Sequence, residues 1–340
     1  MIIKSLKVEN ITVLGSSNIS FTPGINIIIG ENGTGKTHIL KIIYSACRAT
    51  QAKTSFSYKL TRTMFPDDYK LSQLITKGAR NKTSKIEITA SNQLKNEKKL
   101  SLSFEKNTKK WEGKVTGESA WEKEFAGVNS IYIPAKDILA NAYNLVAATE
   151  RDNVRFDDTY LDLINILKID SSDNDSDKIS DDILQKLEKF TDGRMVYDNI
   201  RDEFYIKKGN SKREFNLVAE GERKVSLLWQ LLKRGAIKKG DILLWDEPES
   251  NINPRIIPYI ADILLELQRK GIQIFVSTHN YILAKYFEIR ATEKDEVCFY
   301  SLNKNKNGIE IEKNRSFSGL KNNTLISTFE KLLDEVYELE

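Results

Sequence analysis

The chain has 340 residues, 52 Lys+Arg against 48 Asp+Glu, a formal net charge of +4 and 40% apolar residues. That length and apolar fraction suit one large domain or two smaller ones with a sizeable core. No run approaches the ~18 consecutive apolar residues of a membrane span, so no membrane association is expected.

The opening MIIKSLKVEN lacks the shape of a signal peptide and reads as a first strand. The isoleucine-rich stretch 25–29 is short enough for a buried strand, and GENGTGKT follows at once over 30–37. This fits G-x-x-x-x-G-K-[ST], and 38–46 then reads as a helix; strand, loop and helix are the context the motif requires. Gly30, Gly33 and Gly35 let the backbone turn its N–H groups toward a β-phosphate, where the helix start adds partial positive charge. Lys36 is expected to reach the β- and γ-phosphates, and Thr37 to ligate Mg²⁺. Asn32, Thr34 and His38 complete the expected nucleotide-binding set. His38 lies inside the helix, where packing is its simpler role.

Residues 77–114 hold eleven Lys/Arg against four Glu, a local excess of seven. Segments 84–89 and 100–105 alternate like strands. Two readings stand: a basic hairpin over nucleic acid, or a solvated lysine-rich face. Phe156, Tyr160, Leu163, Ile164 and Leu167 have helical spacing and predict a packed lobe. Residues 171–182 are polar and acidic and read as a mobile loop, with Ser180 capping a helix over 181–190. A hairpin is expected over 195–206.

VAEGERK at 218–224 precedes a helix starting near Glu222. Stretch 242–245 is another buried strand, with Asp246 and Glu247 at its carboxyl end, where open α/β sheets bind ligands. Asp246 is expected to hold Mg²⁺ through water, and Glu247 to polarise the attacking water. A helix over 255–270 and a mostly apolar stretch, 272–276, follow. His279 therefore sits at a third strand end, where a neutral imidazole can meet the γ-phosphate or the attacking water. A hairpin over 297–313 and a helix over 323–339 close the chain. That helix carries the stripe Leu325, Phe329, Leu332, Val336 and Leu339, expected to pack on its own domain, with a partner surface as the alternative.

Cys47 and Cys298 are far apart and lack metal-ligand spacing, which fits a reducing cytoplasm. There is no CxxC, no HExxH and no Ser/His/Asp set in a recognisable context. No long heptad pattern lies between Lys36 and Gly221, so a long coiled coil is not expected. No Asp-x-Asp of a metal-carboxylate nuclease follows His279.

The four motifs in this order resemble an ABC-type ATPase of the branch shared by RecF and SMC proteins. IYIPAKDIL at 131–139, FDDTYLDLINIL at 156–167 and WDEPESNINP at 245–254 make the chain similar to compact AAA_21-type ATPases of phage-defence and abortive-infection loci. The resemblance implies an α/β fold, an ABC-type P-loop ATPase head with an inserted helical lobe. Residues 1–135 and 216–340 would form the nucleotide-binding core, and 136–215 the lobe. It also implies ATP and Mg²⁺ as cofactors and a homodimer or higher oligomer. Ala219, Glu220, Gly221 and Glu222 would act as the signature loop in trans, 251–254 as the loop crossing between sites, and Lys136 and Asp137 as nucleotide sensors. The usual signature serine is Ala219 here and the first glycine is Glu220, so one γ-phosphate hydroxyl donor is missing. Arg223 and Lys224 either add charge there or are solvated helix residues. No aromatic residue in 1–20 offers an adenine platform. The expected function is a dimerisation switch controlling a separately encoded nuclease or toxin in anti-phage defence. The alternatives are a RecF-like repair ATPase using segment 77–114 on DNA, and a nucleotide-gated scaffold or antitoxin with negligible turnover.

Overall fold

The computed structural model describes residues 1–51, 54–79, 83–151, 154–168, 181–191, 193–305 and 308–338. Of the acidic stretch 171–182 only Asp181 and Asp182 are among them; Ser180 and its expected cap lie outside, and so does Leu339.

Strands β1 (Ile2–Ile11), β2 (Gly15–Ser20) and β3 (Ile25–Gly30) come first, followed by helices α1 (Lys36–Arg48) and α2 (Phe56–Met64). Then come β4 (Thr83–Ser91), β5 (Glu97–Glu105), β6 (Lys114–Thr116), α3 (Glu118–Phe125) and β7 (Ser130–Ile133). The middle of the chain carries α4 (Leu145–Glu150), α5 (Asp158–Lys168), α6 (Asp181–Glu188), β8 (Arg194–Asp198), β9 (Glu203–Lys208) and β10 (Ser211–Glu214). After α7 (Glu220–Lys233) come β11 (Ile242–Asp246), α8 (Ile257–Arg269), β12 (Gln273–Thr278) and α9 (Tyr281–Arg290). Strands β13 (Val297–Asn305) and β14 (Gly308–Asn314) and helix α10 (Thr324–Tyr337) complete the set.

Gly30, Asp246 and His279 stand at strand ends of a six-stranded sheet of order β14-β13-β3-β12-β11-β7. Its strands run parallel except at the β14 edge. Strands β3, β11 and β12 are buried throughout, as parallel strands covered on both faces must be. Along β3, Ile25, Ile27 and Ile29 join one core with residues of α5, α7, α8 and α9. Ile28 joins the other core, with α1 and the antiparallel sheet β2-β1-β4-β5-β6.

In that second sheet Ile86, Ile88, Leu100, Leu102 and Phe104 point inward, while Lys85 and Lys99 face out and pair with Glu87. Both strands of the basic segment therefore form, and part of its charge is neutralised locally. The sequence hairpin over 195–206 is a three-stranded sheet, β10-β9-β8. Its third strand, SKRE, has no apolar alternation that a sequence reading could detect.

Helix α5 is tied to the P-loop helix by charge. Lys41 of α1 pairs with Asp157, and Lys59 of α2 lies 2.7 Å from both Asp158 and Asp162. Arg62 reaches Asp158 at 2.9 Å.

Helix α10 departs from expectation. Phe329 stacks on Tyr281, with centroids 4.2 Å apart, and Leu325 and Ile326 lean on the core. Beyond them Leu332 is 53% exposed and Tyr337 70%. The helix turns its later apolar residues to solvent because it meets the domain only through its first turns.

Candidate functional site

Gly30 closes β3, and the loop then passes exposed Glu31, Asn32 and Gly33 before Thr34 turns inward. Thr34 Oγ1 donates to Glu31 O at 2.9 Å, bracing the loop. Gly35 caps α1 with φ 94°. A Cβ there would lie 2.7 Å from Leu14 Cδ2, so conformation and space both require glycine. The first N–H groups of α1 are free of acidic competitors in its first turn, which leaves them available to an anion.

Lys36 folds back on this loop. Its Nζ donates to Gly30 O at 2.8 Å and Glu31 O at 2.9 Å. Burial pulls its pKa down, while Glu247, Asp246, Glu249 and Glu31 act in the opposite sense. The ammonium is therefore held beside the loop that would receive a phosphate.

Strand β11 brings Asp246 to the same place. Thr37 Oγ1 lies 2.9 Å from Asp246 Oδ2. Tyr132 OH donates to Oδ2 at 3.2 Å, and Ser277 Oγ donates to Oδ1. Among the described residues no group of three or more His, Cys, Asp or Glu could hold a metal ion. The donor set of one hydroxyl and one carboxylate suits Mg²⁺, which completes its octahedron with water and substrate phosphates.

Glu247 follows in the left-handed region, φ 48°, with its N–H on Ser277 O at 3.0 Å. Its Oε1 lies 3.0 Å from His279 Nδ1, and both side chains are partly exposed. The carboxylates of Glu247 and Asp246 both act on the Lys36 ammonium, which places Glu247, with His279 against it, near the P-loop. His38 Nδ1 lies 3.0 Å from Thr12 Oγ1; burial, with Lys41 nearby, holds its pKa below the usual range, while Asp246 acts in the opposite sense.

The VAEGERK segment forms the start of α7, which begins at Glu220 rather than near Glu222, with exposed Ala219 as its N-cap. Gly221 is buried against the next loop, where a Cβ would stand 3.0 Å from Asn251 O. Glu222 pairs with Arg213 at 2.6 Å.

Arg223 and Lys224 are not freely solvated helix residues: Arg223 is half-buried and Lys224 buried. Arg223 binds Asp137 and donates to Val218 O at 2.7 Å. Lys224 is buried and donates to Ser250 O at 2.7 Å and to Ser250 Oγ. Ser250 Oγ in turn reaches Glu247 O at 2.9 Å and Ala135 O at 3.1 Å. The two cations thus stitch α7 to the Glu247 loop and to the turn after β7. Asp137 belongs to this stitching and also accepts from Leu139 N at 2.9 Å, while Lys136 is exposed.

Sequence reasoning missed Tyr132, Ser277, Thr278 and Glu249. Tyr132 and Glu249 stand inside quoted motifs, and Ser277 and Thr278 directly precede His279, so proximity to an assigned residue was the available signal.

A parallel sheet with this P-loop and these strand-end carboxylates defines an ABC-type ATPase of the RecF/SMC-like kind. The AAA_21 family, described as AAA domain, putative AbiEii toxin, Type IV TA system, matches residues 25–284, and the chain belongs to it. The chain is 23% identical over 287 residues to the DNA double-strand break repair Rad50 ATPase of Methanococcus maripaludis, covering 81% of this chain and 26% of that protein. It is 35% identical over 69 residues to the DNA replication and repair protein RecF of Bacillus cytotoxicus, covering 20% and 18%. It therefore spans about a quarter or less of the length of these relatives. The SMC head bound to the C-winged helix domain of ScpA matches with TM-score 0.62 and 16% identity, over 94% of this chain and 100% of that one. The Smc head with an extended coiled coil bound to the C-terminal domain of ScpA, from Pyrococcus furiosus, matches with TM-score 0.59 and 13% identity, over 99% of each chain. These two likenesses are of fold.

Proposed function

We propose that the chain is a magnesium-dependent, ATP-hydrolysing dimerisation switch that controls a separately encoded nuclease or toxin in bacterial anti-phage defence. The observation that carries this reading is the convergence of Thr37, Asp246, Glu247 and His279 beside the P-loop. In it, backbone N–H groups of the loop from Gly30 to Thr37 bind the β-phosphate, and Lys36 leaves its carbonyls for the β- and γ-phosphates. Magnesium, when bound by Thr37 and Asp246, neutralises phosphate charge. Glu247 orients a water for in-line attack on the γ-phosphorus and takes its proton as the bond to the bridging oxygen breaks, giving ADP and phosphate. His279 holds Glu247 and meets the γ-phosphate.

Ala219–Glu222 of a second copy would close the site, with the N-terminus of α7 directed at the γ-phosphate. Residues 136–215 act as the inserted lobe on a core of 1–135 and 216–340. Asp137, through Arg223, would link the state of one site to the posture of α7. A cytoplasmic location fits both cysteines being free and buried. The defence role is supported by the AbiEii and toxin–antitoxin description of the family.

The test is Mg²⁺-dependent phosphate release by the purified protein, with Glu247→Gln expected to reduce it by about 10²-fold or more. Absence of release from the wild type at any protein concentration would sink the reading. Direct DNA action is the second reading, favoured by the basic β4–β5 segment and the repair roles named for Rad50 and RecF. Salt-dependent duplex binding by the isolated chain would support it.

A further inference from the structure

We propose that Glu249 is a positioning residue that fixes the register between the loop carrying Glu247 and the turn carrying His279. The inference deepens the ATPase reading and rests on it. Glu249 Oε1 accepts from Thr278 Oγ1 at 2.6 Å. Thr278 Oγ1 itself accepts from Asn280 N at 2.9 Å, closing the turn around His279. Beyond the backbone bond from Glu247 N–H to Ser277 O at 3.0 Å, two side-chain rungs therefore join the loops. One is the partly exposed pair of Glu247 and His279, 3.0 Å apart; the other is the buried pair of Glu249 and Thr278 beneath it.

The lower rung is chemically expensive. Glu249 is 6% exposed, and its Oε2 is buried without a hydrogen-bond partner. A carboxyl in such a place disfavours folding relative to an apolar side chain of similar size. Packing alone therefore does not explain it. What an apolar residue could not supply is a directional acceptor for Thr278. Without that acceptor the side chains of the His279 turn are held to the Glu247 loop only by the exposed Glu247–His279 pair, beyond the backbone bond at Ser277 O. A displacement of about 1 Å between reacting groups can reduce turnover by ~10²-fold.

Glu249→Ala, Glu249→Gln, Thr278→Val and the Glu249→Ala/Thr278→Val double variant test the assignment in steady-state ATP turnover. Both single deletions are expected to lower kcat about 10–100-fold, with KM for ATP changed less than about threefold. Glu249→Gln keeps an oxygen for Thr278 and should recover most of kcat. The double variant should be no slower than the worse single one, since the two residues make one bond. A second readout needs no turnover. The chain has 2 histidines, so the His279 ring nitrogens can be followed by NMR after assignment with His38→Ala. Their chemical shifts should move in Glu249→Ala and Thr278→Val, and stay near wild type in Glu249→Gln. Full kcat in Glu249→Ala, additive losses, or a His279 signal blind to all three changes would overturn the proposal. A wild type without turnover would refute the ATPase reading, and the NMR result would still decide this one.

Discussion

Thr37 and Asp246, 209 residues apart in the chain, touch directly through Oγ1 and Oδ2 at 2.9 Å. The P-loop helix and the β11 strand end are thus aligned by a hydroxyl and a carboxylate before any ion enters. Two further hydroxyls, of Tyr132 and Ser277, hold the same carboxylate from behind. Such outer partners of a metal ligand typically contribute 10–100-fold in metal affinity or activity. Tyr132→Phe should therefore raise the Mg²⁺ concentration needed for half-maximal ATP turnover by about tenfold. A titration with Mg²⁺ at saturating ATP measures this. An unchanged midpoint would mean that Tyr132 only packs.

Lys36→Ala and Glu247→Gln should separate binding from chemistry. The first removes the charge intended for the phosphates, so ATP affinity should fall by about 10²-fold or more, as expected for a charge-assisted contact of ~3 kcal/mol. The second keeps shape and removes the base, so ATP should bind with near-native affinity and persist. Calorimetry compares the two directly, and equal affinities would contradict both roles.

The composite-site model makes a prediction about mass. Glu247→Gln with ATP should shift toward a dimer or larger assembly in light scattering. Adding Gly221→Asp should abolish the shift by setting a carboxylate against the γ-phosphate. Because the Gly221 Cβ position lies 3.0 Å from Asn251 O, Gly221→Ala is the steric control. It should retain some ATP-dependent association. If the aspartate variant assembles like its parent, the trans role of this segment fails.

The catalytic motifs were legible because each sits at the end of a short apolar strand, where chain order alone predicts proximity. Asp246, Glu247 and His279 fall where that logic puts them. The stitching was not legible. Arg223 meets Asp137 86 residues away, and Lys224 meets Ser250 26 residues away. Neither spacing follows a helical or strand period, so both looked like solvent-facing charges. The acids of FDDTYLD were visible, but their partners Lys41, Lys59 and Arg62 lie on two helices 96 to 116 residues earlier in the chain. The stripe of α10 was read correctly as a stripe, yet a period says only which residues share a face. It does not say that the face is covered.

The charge network between α2 and α5 should show a steep contrast in stability. Lys59 is buried against Asp158 and Asp162. Lys59→Met leaves those carboxylates with less compensation and should destabilise the fold by about 3 kcal/mol. Lys70, paired with Asp68 at an exposed site, provides the comparison: Lys70→Ala should change stability by less than ~0.5 kcal/mol. Chemical denaturation of both variants checks the difference, and similar small effects would deny the buried pair its structural weight.

A pH effect should come from Asp241. Burial pushes its carboxyl up from 3.8 to about 6, although Asn129 and Lys238 backbone N–H groups oppose the shift. A folded pKa above the unfolded one means extra protons are bound in the fold between pH 4 and 6. The stabilising contribution is therefore complete below about pH 4 and is lost as pH rises through 6, by roughly 3 kcal/mol. Asp241→Asn should remove this component of the pH profile. It should also lower stability by about 1–3 kcal/mol, because the amide turns an N–H toward one of those two donors. Denaturation midpoints from pH 4 to 7 would reveal both effects, and an unaltered pH profile would refute the assignment.

The position of β3 has a consequence for synthesis. Its two neighbours in the sheet are β12, at Gln273–Thr278, and β13, at Val297–Asn305. The P-loop strand therefore emerges from a ribosome long before either flanking strand exists. The antiparallel sheet from β1 to β6 has all its strands once Thr116 is made, whereas the nucleotide site must wait for contacts of far longer sequence separation, the slow kind. A nascent chain halted before residue 273 would carry the full GENGTGKT sequence without the sheet that shapes it. Acquisition of nucleotide binding is thereby tied to translation of the His279 region.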